Sequence, residues 1–266
     1  FRNFGCWRFC VCRMSGIEIS SGLKGDGPSN YTIIGGDCQV VNIKLAPGES
    51  CVCEPGVLMH MDPKLTPSTS YACSCRRYMS GEGQWRTIFT NNADEPAIVG
   101  LTPNRPAKVV PVDLAMLTAG GAEGLYCQQG AWMASAGEVV VSAGAECNPC
   151  KMCCAGQGAV KMYLRGTGTA FLEGHGTVMM KVLAAGEKLV VDQTAVLGWA
   201  NTVDLTFRLN GGCCTCCCSG EGMFNAVLDG GSKGGVVILE SMPFEKFRAA
   251  IVQPMPGQRG GKTNNV

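Results

Sequence analysis

The chain has 266 residues, 46% of them hydrophobic and 16% charged, with a formal net charge of +1. That length serves one large or two ordinary domains and buries a core without covalent staples. The near-neutral balance offers no electrostatic footprint for nucleic acid, and no apolar run approaches the roughly 20 residues of a membrane-spanning helix.

The chain opens on FRNFGCWRFCVCRM, starting at Phe1 rather than Met as a trimmed or processed product would. Residues 1–37 read as an N-terminal extension, either an extra edge strand or a docking segment whose candidate partner-binding rings are Phe4, Trp7 and Phe9. From residue 38 the pattern becomes strand-like. NIKLAPGE alternates Ile43 and Leu45 with Asn42 and Lys44; VKMYLRG sets Val160, Met162 and Leu164 on one face; TVDLTFRLN does the same with Val203, Leu205, Phe207 and Leu209. Period-two alternation broken by glycine predicts half-buried antiparallel strands. FEKFRAAIV, after Pro243, places Phe244, Phe247 and Ile251 at helical spacing and predicts a short amphipathic helix. The last residues, PGQRGGKTNNV, have no apolar anchor and predict a tail.

Two motifs recur at matching offsets. MSGEGQWRTIFTN and CSGEGMFNAVLDG share Ser-Gly-Glu-Gly before an alternating run, and AGQGAVKMYLRG is a weaker third copy; their first glycines are Gly81, Gly156 and Gly220, spaced 75 and 139 from the first. LAPGESCVCEPGVLM at Leu45 returns as LAAGEKLVVDQTAVL at Leu183, an offset of 138, and Gly130 of YCQQGAWMAS matches Gly56 at an offset of 74. The chain therefore reads as all-β: three pseudo-repeated antiparallel units, sandwich-like or double-stranded β-helix-like, at about 38–105, 106–180 and 181–243. A short C-terminal helix and tail occupy 244–266.

The chemistry-bearing residues are few. His60, in an apolar strand end, and His175, in a turn-like EGHGTV, are the only histidines, and neither has the local context of a general base. Glu82 and Glu221 read as turn residues accepting backbone N–H groups, since the middle copy carries Gln157. Cysteine is abundant, at 18 residues, and the near-contiguous Cys213–Cys218 cluster suits reduced, intracellular thiols better than a disulfide framework. Cys147, Cys150, Cys153 and Cys154 have half-site spacing with no second half in order. Cys75, Cys150 and Cys214 lie six residues before the repeated glycine, and Met79, Cys154 and Cys218 lie two before it. On strands around a pseudo-threefold axis these six sulfurs would form two layers, a candidate soft-metal site; otherwise cysteine serves as a small apolar filler.

QVVNIKLAPGESCVCEPGVLMHMD, PAKVVPVDLAMLTAGGAEGLYCQQGAWMASAGEVVV, GTGTAFLEGHGTVMMKVLAAGEKLVVD and SGEGMFNAVLDGGSKGGVVILESMP, in that order over residues 38 to 243, resemble the altered inheritance of mitochondria protein 24 family. The resemblance implies a β fold similar to the tryptophan RNA-binding attenuation protein, trimer formation, and a link to mitochondrial inner-membrane organisation; it implies no catalytic residues. The expected function is a non-enzymatic structural or assembly subunit. It docks to other proteins of an organellar complex, in a mitochondrion or plastid, or forms a homotrimer, with peripheral membrane association and no cofactor. The alternative is a thiol-based soft-metal-binding or redox protein.

Overall fold

The computed structural model describes residues 18–19, 24–25, 31–71, 85–145, 160–211 and 224–252. The elements in chain order are β1 (Glu18–Ile19), β2 (Lys24–Gly25), β3 (Tyr31–Ile34), β4 (Val40–Leu45), β5 (Ser50–Cys53), β6 (Leu58–Met61), β7 (Leu65–Tyr71), β8 (Trp85–Asn91) and β9 (Ala97–Leu101). Then come β10 (Lys108–Asp113), α1 (Leu114–Ala119), β11 (Leu125–Cys127), β12 (Trp132–Ala136), β13 (Val139–Ala145), β14 (Val160–Gly166) and β15 (Thr169–Gly174). The last set is β16 (Val178–Leu183), β17 (Lys188–Asp192), β18 (Val196–Ala200), β19 (Asp204–Leu209), β20 (Phe224–Asp229), β21 (Gly235–Glu240) and α2 (Phe244–Val252). The fold is all-β; among the described residues one short α-helix lies inside it and one at its C-terminal side.

One pairing scheme recurs along the chain. In β4–β9, β9 pairs with β4 and β6, and β8 pairs with β5 and β7. In β10–β15, β15 pairs with β10 and β12, and β14 with β11 and β13. In β16–β21, β21 pairs with β16 and β18, and β20 with β17 and β19. Each unit thus has a three-stranded body half and a three-stranded hairpin half. The second hairpin strands start at Trp85, Val160 and Phe224, spaced 75 and 139 from the first, the same offsets as the Gly-x-Gly copies. Those glycines, residues 81, 156 and 220, lie outside the described residues.

Neighbouring units share sheets. The body half of unit 2 joins the hairpin half of unit 1 through β12 and β5, giving six strands; the body half of unit 3 joins the hairpin half of unit 2 through β18 and β11, giving seven with β1. The body half of unit 1, extended by β3 and β2, and the hairpin half of unit 3 remain separate sheets of five and three strands.

Three cores follow from this sharing. The first lies in unit 1 (Val41, Ile43, Leu45, Val99, Phe89) but takes Val109, Met133 and Phe171 from unit 2. The second lies in unit 2 (Val110, Leu125, Met162, Leu172) and takes Val178, Leu197 and Ile238 from unit 3. The third lies in unit 3 (Leu183, Trp199, Leu228, Val237), with Tyr126 of unit 2 against it. Strands β12, β15 and β18, packed on both faces, are buried along their whole length. A cation sits over an indole at each joined sheet: Arg86 Cζ lies 4.6 Å from the Trp132 ring centroid, and Lys161 Nζ 4.4 Å from that of Trp199.

The repeated Leu-Ala-x-Gly-Glu motif is a turn with its own internal bond. The Ala46 N–H donates to Glu49 Oε2 at 2.8 Å, and the Ala184 N–H donates to Glu187 Oε2 at 2.9 Å. Both glycines, Gly48 and Gly186, have positive φ, 81° and 75°. Unit 2 replaces this turn by α1, capped by Asp113, whose Oδ1 accepts the Met116 N–H. Helix α2 forms over FEKFRAAIV, with Phe244 and Phe247 half-buried and Ile251 left exposed. Cys51, Cys53 and Cys127 are buried and form no disulfide. Burial pushes the Cys51 thiol well up and that of Cys53 up to about 12, so both stay protonated and act as small apolar side chains.

Candidate functional site

By the two junctions already made, β6 of unit 1 would pair with β17 of unit 3, yet among the described residues neither strand has a partner on that side. The consequence is read at equivalent positions. Met59 is 61% exposed, whereas Met133 and Leu197, at the same place in units 2 and 3, are 0% and 2% exposed. Leu58 beside it, Ile34 and Ile98 on the same body half, and Val190 on β17 are also exposed. His60 lies flat on this outer face: a Cβ at Gly100 would sit 2.0 Å from its ring, so only glycine at 100 lets the imidazole pack there. The clamp seen at the joined sheets is missing too. Asn225 stands where Arg86 and Lys161 stand, and β6, Leu-Met-His-Met, has no indole. Among the described residues this seam is a free pair of strand edges with an apolar rim.

A second feature is a cavity of about 400 Å³ between units 2 and 3, lined by Arg105, Gln128, Glu173, His175, Glu240 and Phe244 among others. Glu173, His175 and Glu240 are buried. Glu240 Oε2 accepts the His175 backbone N–H at 2.8 Å and lies 3.2 Å from His175 Nδ1. A proton on Nδ1 satisfies that carboxylate and leaves Nε2, buried and without a hydrogen-bond partner, as an acceptor. The Phe244 ring lies tilted against the imidazole at a centroid distance of 5.8 Å, and the Arg105 guanidinium lies 4.5 Å from the Phe244 centroid. Burial pushes the Glu173 carboxyl above the usual carboxylate range, outweighing the Asn104 N–H and the nearby Arg105 and His175.

A carboxyl whose folded pKa is raised contributes stability below its unfolded value, near 4.5, and that contribution is lost as pH rises through the folded value. Glu173→Gln is therefore expected to raise the unfolding midpoint relative to the parent at pH 7–8 and to give little or no such gain at pH 4. Paired thermal melts at the two pH values check it.

The sequence-derived sulfur site, Cys75, Cys150, Cys214, Met79, Cys154 and Cys218, lies outside the described residues, as do Phe4, Trp7 and Phe9, Glu82 and Glu221, and the Cys213–Cys218 cluster. Among the described residues no group of three or more His, Cys, Asp or Glu is placed to hold a metal ion. No described helix is long and apolar enough to cross a membrane. Reading His175 as a local turn residue missed its carboxylate, because Glu240 is 65 positions away.

Among the described residues these features define three β units sharing sheets, with one seam left unjoined. The chain belongs to the Mitochondrial biogenesis AIM24 family, which matches residues 31–242. It is 24% identical over 182 residues, 68% of each chain, to an uncharacterized protein of Streptococcus pyogenes serotype M6. It also resembles a Streptococcus pyogenes protein solved by X-ray crystallography, with a TM-score of 0.61 and 22% identity, over 83% of this chain and 97% of that one. At that identity the likeness concerns the fold alone.

Proposed function

We propose that the chain is a non-enzymatic structural or assembly subunit that docks to other protein subunits through its free seam. The observation that carries this reading is Met59, exposed at a position where both other units bury their side chain against a neighbouring core. An unpaired strand edge is a template for strand addition, and an apolar rim beside it adds contact area. The family description supports a mitochondrial setting for that assembly.

Native gel electrophoresis of mitochondria from cells expressing the tagged chain tests it. The parent is expected in a complex larger than one chain, and Met59→Asp, which places a charge on the rim, is expected to shift most of it to the free chain. Parent protein migrating as a single free chain would sink the reading.

A further inference from the structure

Buried carboxylates tie consecutive units together at one repeated position. Trp132 lies opposite Leu172 in unit 2 and Val196 opposite Leu239 in unit 3, so Glu173 and Glu240, one residue further on, are equivalent. Glu173 Oε1 accepts the Asn104 N–H at 3.3 Å, and Glu240 Oε2 accepts the His175 N–H at 2.8 Å. Asn104 and His175 thus hold the same post at the two junctions. Asn104 donates its side-chain amide to the Pro55 carbonyl at 3.2 Å. His175 sets Nδ1 against Glu240 and keeps Nε2, shielded from water and without a hydrogen-bond partner. The tie between units needs only a backbone N–H, as Asn104 shows, so it does not account for a second ring nitrogen held at a fixed angle.

The cavity that His175 lines has two ends. Glu173, His175 and Glu240 form a buried end, and Arg105 is exposed at the mouth. The Arg105 guanidinium is seated between the Phe244 ring, 4.5 Å from its centroid, and Gly130, where an added Cβ would lie 3.4 Å from Nη2. Among the described residues it forms no ion pair. Leu197 and Ala131 add apolar wall, and a volume of about 400 Å³ suits a small molecule.

These groups set the chemistry of the ligand. A guanidinium without a counter-ion calls for a carboxylate, which matches its planar fork. A ring nitrogen that accepts calls for an O–H or an N–H. Charge decides between the two. An ammonium brought to the buried end needs an ionised carboxylate beside it. Glu240 is already engaged by His175, and burial pushes the Glu173 carboxyl toward its neutral form. A hydroxyl brings no charge to be matched.

We propose that this cavity is a binding site for a small hydroxy-carboxylic acid, with its carboxylate on the Arg105 guanidinium and its hydroxyl donating to His175 Nε2. The hydrocarbon part lies along Phe244, Leu197 and Ala131. Because Nε2 is shielded, the Phe244 ring, half-buried at the start of α2, shifts as the hydroxyl arrives. The site is separate from the seam, so its failure would leave the docking reading standing, and Met59→Asp should bind the acid as the parent does.

The chain has two histidines, which makes the ring directly readable. Full-length protein carrying nitrogen-15 histidine is titrated with hydroxy acids from lactate to hydroxyisocaproate and followed by NMR. The His175 Nε2 resonance is expected to move upfield, as a lone pair does on accepting a hydrogen bond, while that of His60 stays; His60→Gln assigns the two rings. Calorimetry then compares the tightest acid with analogues of the same skeleton. Replacing the hydroxyl by hydrogen, or the carboxylate by a primary alcohol, should weaken binding about tenfold each. Arg105→Met, at the exposed mouth, and His175→Asn, which copies Asn104 and keeps the N–H to Glu240, should lose about as much while retaining the parent circular-dichroism spectrum. If His175→Asn loses that spectrum, the Nε2 resonance decides in its place. The proposal is overturned if no hydroxy acid moves that resonance, if the analogue without the hydroxyl or the Arg105→Met variant binds as well as its parent, or if the amino acid of the same skeleton binds more tightly than the hydroxy acid.

Discussion

Phe171→Ala is expected to lower the unfolding free energy by about 3–5 kcal/mol, the range for emptying a buried phenylalanine site. Phe171 belongs to β15 of unit 2 but is fully buried in the core of unit 1, where its ring meets Tyr31 edge-on at a centroid distance of 5.1 Å. The cavity therefore opens between two units. Strands pack on both sides of β15, so the surroundings have little freedom to collapse, and the cost belongs toward the upper end of that range. Phe171→Leu, which refills much of the volume, should recover more than half of the loss. Urea unfolding followed by tryptophan fluorescence measures both. A loss below about 1 kcal/mol for the alanine variant would show that the two units are not mechanically joined at this ring.

Gly166→Ala is the second large effect, at about 3 kcal/mol, or a fall in melting temperature of about 6–12 °C. Gly166 ends β14 with φ at 135°, and an added Cβ would lie 2.1 Å from the carbonyl oxygen of Glu138. That oxygen accepts the N–H groups of both Thr167 and Gly168, at 2.9 and 3.0 Å. The methyl group cannot be accommodated by rotating a side chain; the backbone linking β14 to β15 has to shift and lose those bonds. Gly121→Ala separates strain from collision. Its φ is 89°, but nothing lies within 4 Å of the new Cβ, so it should cost only about 1 kcal/mol. Equal losses in the two variants would show that the Glu138 contact is unimportant.

The parts of the fold legible in the sequence are those fixed by near neighbours. The Leu-Ala-x-Gly-Glu turn closes over three positions, with Glu49 and Glu187 bonding back to Ala46 and Ala184, so a repeated string meant a repeated shape. Alternation in NIKL identified the buried side, Ile43 and Leu45. In TVDLTFRLN it identified the side but not the depth. Val203 and Leu205 are buried while Leu209 is 65% exposed, because β19 is an edge strand whose far end leaves the core. Helix α1 carried a signal, Asp113 ahead of Leu-Ala-Met-Leu and Gly120 behind, that strand periodicity on either side obscured. The cavity was not legible, since Glu240 comes from a different unit than Glu173 and His175. Nor was the seam, which is a relation between β6 and β17 and has no string of its own.

The unjoined seam also bears on how the molecule comes apart. In a closed circle every unit has two neighbours, and none can open without breaking two junctions. Among the described residues only the middle unit is held that way: it gives β12 and β15 to one neighbour and receives β18 and β21 from the other. Opening either terminal unit breaks a single junction, so thermal fluctuation enters from the two ends of the arc and reaches the centre last. Slow amide exchange thus belongs to β12, β15 and β18, and the fastest-opening paired backbone to the strands flanking the gap.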